Sequence, residues 1–214
     1  MKKTKQELVS EFRCAEILGA ARKVFARKGF NGATVDEIAE AAGLAKGTVY
    51  VYFQSKRNIY LEALKQGAYG LVDEVERDVA AARTPAEKIR AFIATRIHYA
   101  DENRDFISIY YSELANIRAA PLNKEFRALY LRQAKTLEAV LREATAGGQV
   151  RSVRADAAAL TVYEMTRGLI AQRLLGWSKA SADEDIDFMF ELIWKGLSNP
   201  SVPASREEAL CIES

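Results

Sequence analysis

Cysteine, proline and histidine are scarce in this 214-residue chain, at two, four and one. Cys14 and Cys211 are too few and too far apart for a disulfide framework, and they suit a reducing cytoplasm. One histidine and two distant cysteines make neither a metal cluster nor a nucleophile–base pair, so no metal, no cofactor and no enzymatic chemistry is expected. A Gly-rich phosphate loop is lacking too, since Gly47 stands without the required spacing. Glu102 with Asp105, and Asp183-Glu184-Asp185, read as solvated helix starts. No run approaches the ~18 uninterrupted apolar residues of a membrane span. The basic Met1-Lys2-Lys3-Thr4-Lys5 leads no apolar signal-peptide core, and the expectation is a cytoplasmic protein with no membrane partner.

What is present is helical periodicity in a chain that is 49% hydrophobic, enough for one or two compact helical domains. Ile17, Ala20, Ala21, Val24 and Phe25 recur at helical spacing and predict a first helix over about 10–28, ended by Gly29. Thr34-Val35-Asp36-Glu37 is a capping box that opens a short second helix ending at Gly43, and a third follows over about 46–52. The next runs from Ser55-Lys56 to about Ala82, roughly 40 Å long at 1.5 Å per residue. Gly67 and Gly70 within it are either bending points or places of close approach. Thr84-Pro85-Ala86-Glu87 starts a fifth helix, with Pro at the first helical position. Further helices are predicted near 104–117, 122–146, 156–176 and 183–198. The class is all-α, with a helix-turn-helix domain at 10–55, a helical body at 56–198 and a loose tail at 199–214.

Charge divides along the same line. Residues 1–60 carry eleven Lys/Arg against six Asp/Glu, a net +5, while the remainder holds twenty against twenty-three, a net −3. A basic head on a slightly acidic body fits a polyanion-binding module joined to something else. The head also has the grammar of a helix-turn-helix. Small Ala39 lets helices cross closely, Gly43 supplies the turn, and Leu44 and Val49 fill the junction. Lys46, Gly47 and Thr48 start the third helix, the end that enters the major groove in this motif. Tyr50, Tyr52 and Lys56 offer donors to phosphate, and Thr34 begins a second helix whose first-turn amides suit an anion.

These residues resemble the tetracycline-repressor (TetR) family. The matching stretch is Ile17-Leu18-x-Ala20-Ala21-x-x-Val24-Phe25-x-x-x-Gly29-Phe30-x-x-x-Thr34-Val35-x-x-Ile38-Ala39-x-x-Ala42-Gly43-Leu44-Ala45-Lys46-Gly47-Thr48-Val49-Tyr50-x-Tyr52-Phe53-x-Ser55-Lys56. The resemblance covers about a quarter of the chain and is specific through its many fixed spacings. It implies a nine-helix homodimer that binds a pseudo-palindromic double-stranded DNA operator, usually as a repressor released by a small molecule. Carried over, Lys46, Gly47, Thr48 and Val51 would face bases, and Thr34, Tyr50, Tyr52 and Lys56 would hold phosphates. Val51 offers only apolar contact, as to a thymine methyl, so shape readout is expected to contribute.

The C-terminal half suggests the rest. Leu160, Tyr163, Ile170 and Leu174, followed by Ile186, Met189, Phe190, Ile193 and Leu197, form apolar stripes on the last two helices and predict a four-helix dimer interface. Phe188, Leu192 and Trp194 lie off the second stripe, so that helix needs cover on two sides. Aromatic density over 92–130 marks the expected site of a hydrophobic or aromatic effector, with Phe92, Tyr99, Phe106, Tyr110, Phe126 and Tyr130 as walls and Arg96 and His98 as polar anchors. The competing reading is a helical dimeric adaptor without a small-molecule switch, which salt-dependent DNA binding would separate.

Overall fold

A computed structural model describes residues 4–115 and 123–199, without the side chains of 113–115 and 123–126. Nine helices are described: α1 Lys5–Gly32, α2 Val35–Ala41, α3 Lys46–Tyr52, α4 Lys56–Ala81, α5 Pro85–Glu102, α6 Arg104–Ala115, α7 Asn123–Ala146, α8 Ala155–Leu174 and α9 Ala182–Leu197. The all-α expectation holds, and the internal ends fall within a few residues of those the caps predicted. The expected tail lies, beyond Asn199, outside the described residues.

α1 begins earlier than predicted. Thr4 and Glu7 close a capping box of their own, so the helix starts at Lys5 rather than near Ser10. Its backbone leaves helical geometry at Gly29 (φ 68°), where the sequence predicts the end, and one more turn carries it to Gly32.

The chain divides into two compact units. The first comprises Met1–Ala68 with Asn103–Lys124 and contains α1, α2, α3, the first half of α4 and α6. Its core takes Ile17, Ala21, Val24 and Phe25 from α1, Ile38 from α2, Val49 from α3, Ile59 and Leu64 from α4, and Phe106 from α6, all buried. Phe25, Phe30 and Tyr60 cluster within it, with Tyr60 edge-on to Phe25 at 4.9 Å. At Gly67 a β-carbon would stand 2.3 Å from the Phe106 ring, so this glycine permits close approach of two helices, which settles one of the two readings of its role.

The second unit comprises Tyr69–Glu102 with Glu125–Ser214. Here α5 packs on α9 and α8. The buried set is Ile89, Phe92, Ile93 and Ile97 from α5, Leu137 and Leu141 from α7, Tyr163, Thr166 and Ile170 from α8, and Ile186, Phe190 and Ile193 from α9. A part-buried ionic cluster joins three helices, with Arg173 of α8 paired to Asp101 of α5 and to the buried Asp185 of α9. The loop after α7 is tied to the end of α9, because the Arg151 N–H donates to the Leu197 carbonyl (2.9 Å) and the Asn199 N–H to that of Gln149 (3.0 Å). No helix among the described residues is long and apolar enough to cross a membrane.

Candidate nucleic-acid interface

The candidate interface is built from α2, the turn after it and α3. The Thr34 hydroxyl accepts from the Glu37 N–H (3.2 Å), and the Glu37 carboxylate accepts from the Thr34 N–H (3.0 Å). Lys28 pairs with the same carboxylate. The Lys28 hydrogen bond and then the Thr34 N–H hold Glu37 below the usual carboxylate range. The chain turns at Gly43, whose φ of 66° a residue with a β-carbon adopts only under strain. The Leu44 N–H then reaches back to the Ala39 carbonyl (2.9 Å).

Val49 and Phe53 are buried and set the inward face of α3. The opposite face leaves Lys46, Gly47, Tyr50 and Val51 exposed, while Thr48 and Tyr52 are half-buried. Val51 is 78% exposed. A valine so open on a two-turn helix gains nothing from the fold, and a β-carbon at Gly47 would meet no atom within 4 Å. This face is therefore small, open and free of internal packing duty.

Lys46 Nζ pairs with Asp36 Oδ2 at 2.8 Å, with both side chains at least half exposed. The Asp36 hydrogen bond, then its charge, raises the Lys46 ammonium above its ordinary value. Sequence reasoning missed Asp36, because the pair joins two helices and follows no local spacing. Lys56, expected to hold phosphate, is already engaged. Its ammonium donates to the carbonyls of Phe30 (2.8 Å) and Ala33 (2.9 Å) and stands 4.6 Å above the Phe30 ring. One of its three N–H donors is left over, and the side chain ties the α1–α2 connection to the start of α4.

The expected effector residues do not form one group. Phe106 and Tyr110 belong to the first unit, with ring centroids 5.5 Å apart. Phe92, Arg96, Tyr99 and Tyr130 belong to the second. The Phe126 side chain lies outside the described residues. The Tyr99 hydroxyl would stand 2.8 Å from a β-carbon at Gly70, a second close approach within this unit. His98 stands apart from the others: it is exposed, with Nε2 3.8 Å from Asp183 Oδ1, because it occupies the outer face of α5 while Arg96 and Tyr99 turn inward.

Arg96 is buried, and its Nη1 donates to the amide oxygen of Gln133, also buried. Tyr163 lies beneath the guanidinium at 3.9 Å and Phe92 at 5.4 Å. Tyr130 meets Tyr163 edge-on at 4.5 Å and donates its hydroxyl to Glu164 (3.1 Å). Burial, and next the charge of Glu164, push the Tyr130 phenol up to about 12. Gln133 and Tyr163 were not expected here. Gln133 sits in the polar run Arg132-Gln133-Ala134-Lys135 of α7 and carries no local signal, and Tyr163 falls on a stripe that reads equally well as an interface.

That stripe, expected at a dimer interface, is placed differently by the fold. Tyr163, Ile170, Ile186, Met189, Phe190, Ile193 and Leu197 are all buried within the chain itself, so its own core covers them, and Leu174 is half-buried. Of the expected set only Leu160 is exposed. The apolar surface that remains on these helices and just after α8 is Leu160, Leu175, Trp177, Phe188 and Leu192.

Comparison with known proteins bears on both units. Residues 17–63 match the model for bacterial regulatory proteins of the tetR family, and residues 82–171 match that for a tetracyclin repressor-like C-terminal domain. The chain is similar to the HTH-type transcriptional repressor KstR2 of Rhodococcus jostii, at 29% identity over 56% of this chain and 62% of that protein. It is similar to the fatty acid metabolism regulator protein of Bacillus subtilis, at 24% identity over 86% of this chain and 95% of that protein. Its fold matches the structure of the transcriptional regulator FadR from Bacillus subtilis in complex with stearoyl-CoA, with a TM-score of 0.75 and 21% identity over 85% of this chain and 98% of that one.

Proposed function

We propose, from the premise that the chain belongs to the TetR family of bacterial regulatory proteins, that it is a homodimeric transcriptional repressor released from its operator by an apolar metabolite. The observation that carries this reading is the outward face of α3. Lys46, Gly47, Tyr50 and Val51 are exposed there while Val49 and Phe53 hold the helix from behind. An exposed ion pair is worth little, so Lys46 can exchange Asp36 for a phosphate or a guanine edge at small cost. Thr48 and the methyls of Val51 suit a thymine, and Tyr50, Tyr52 and the remaining Lys56 donor suit phosphates, with Thr34 at the start of α2.

The dimer is proposed on Leu160, Phe188 and Leu192, the apolar residues that α8 and α9 leave exposed. Two heads held on one duplex face would lie about 34–36 Å apart, or a multiple of that. The effector class follows the relatives: a fatty acid metabolism regulator, and a fold match that holds stearoyl-CoA, point to a long acyl chain.

Titration of the full chain against duplex DNA from its own upstream region, at several salt concentrations, tests the reading. Specific binding that weakens steeply with salt is expected. Equal affinity for an unrelated duplex at every salt would refute it.

A further inference from the structure

Arg96 lies on α5 with 2% of its surface exposed. A guanidinium stays charged at any physiological pH and carries five N–H donors. One of them meets the amide oxygen of Gln133, itself 3% exposed. The Nε N–H has no acceptor among the described residues, and no described carboxylate pairs with the group. The rings of Tyr163 and Phe92 offer only their faces. Glu164, which reaches this cluster through Tyr130, is held by the Tyr130 hydroxyl and by Arg167 at 2.5 Å.

The contrast within the same unit is sharp. Arg173, 13% exposed at its side chain, has two carboxylates, Asp101 and Asp185. A buried charge is costly unless it is paired, and an arginine cannot escape by losing its proton. Gln133 and two ring faces leave Arg96 short of one anion.

We infer that Arg96 is the anchor for an anionic oxygen group at the head of an otherwise apolar effector, with Gln133 orienting the guanidinium and Tyr163 and Phe92 flanking it. This rests on the reading of the chain as an effector-responsive regulator. The shared chemistry is a negatively charged oxygen head on a long hydrocarbon, supplied by a free fatty carboxylate or by the phosphates of an acyl thioester.

Calorimetric titration of the full chain with palmitate, palmitoyl-CoA and uncharged cetyl alcohol tests it, beside Arg96→Met and Arg96→Lys. Palmitate or palmitoyl-CoA is expected to bind at least about 10-fold more tightly than the alcohol, and whichever binds identifies the source of the anion. Arg96→Met is expected to weaken the anionic ligand about 10- to 100-fold, the range for a charge-assisted hydrogen bond. Without ligand it should melt no lower than the parent, because an unpaired buried charge has been removed. Arg96→Lys keeps the charge without the planar fork, and a reduced preference for the anion is expected. Equal binding of alcohol and anion, an anion preference that survives Arg96→Met, or binding of none of the three overturns the inference. If Arg96→Met does not fold, an Arg96→Lys chain that binds all three as the parent does overturns it equally. Salt-dependent operator binding by the same preparation leaves the regulator reading standing in each of these cases.

Discussion

Lys46 in the first unit and Arg96 in the second carry the same charge into opposite surroundings. Lys46 and Asp36 share their pair with water, so separating them costs little and either can accept a new partner. Arg96 is enclosed, with one neutral acceptor and two aromatic faces. The first arrangement suits the proposed function, in which this surface meets many DNA sites and leaves most of them. The second suits a site that admits one chemistry. α9 repeats the contrast on a single helix, where Ile193 is core and Phe188, five residues earlier, is 61% exposed.

The largest expected effect comes from reversing exposed and buried faces on α9. Phe188→Glu with Leu192→Glu should yield a folded monomer whose operator affinity falls about 10²- to 10⁴-fold, because two linked heads become separate binders. Ile193→Asp should instead unfold the chain by burying an unpaired charge. Analytical centrifugation with circular dichroism separates the two outcomes. An intact parent chain that sediments at the mass of one copy removes the dimer from the proposal.

The two lysines of the head should part next. Lys46→Ala should cost ~1–3 kcal/mol of specific operator binding while leaving thermal melting unchanged. Lys56→Ala should lower stability by ~1–3 kcal/mol, since the Phe30 and Ala33 carbonyls lose a charged donor. Gel shifts and thermal melts of the same two variants check this, and equal melting temperatures would return Lys56 to a phosphate role alone.

Asp36→Asn should act more gently. Freed from its partner, Lys46 should bind non-specific duplex up to about fivefold more tightly, the span of one exposed pair. Fluorescence anisotropy on a scrambled duplex reads the change, and weaker binding would contradict an exchangeable pair.

The smallest effect is expected from acid. Backbone N–H groups at the caps lower the carboxyls of Glu7, Glu87 and Glu184 below their ordinary 4.5, and for Glu37 the Lys28 hydrogen bond is the largest cause, ahead of the Thr34 N–H. A carboxyl lowered in the folded state stabilises it above the unfolded value and loses that contribution as pH falls through the folded one. Melting should therefore be level between pH 7 and 5 and decline below about 4.5. Glu37→Gln should make that decline shallower, as calorimetry over the same range would show.

Much of this was legible in the chain because helix ends are written locally. The Thr34–Glu37 box, Gly43 and Pro85 each act on their own backbone within four residues, so their positions predict the observed ends. The Thr4–Glu7 box carries the same signal, but the buried stripe of α1 begins only at Ile17. Exposed Leu8, Val9 and Phe12 occupy those turns instead.

What escaped sequence reasoning was non-local. Periodicity shows that α9 is apolar on more than one face but gives no preference as to which face meets α5. Packing made that choice and turned Ile186, Phe190 and Ile193 inward, leaving Phe188 and Leu192 outside. In the same way the spacing of α5 offers Arg96 and His98 equally, two residues apart. Their opposite fates depend on Gln133 and Tyr163, 37 and 67 positions further along the chain. The sequence by itself determined the helices, the turn and the basic charge of the head, since each follows from backbone chemistry or from charge counted along the chain. Only the tertiary structure decided which arginine is buried with no carboxylate partner among the described residues and which apolar residues stay exposed, because burial is a property of what packs against a residue rather than of the residue.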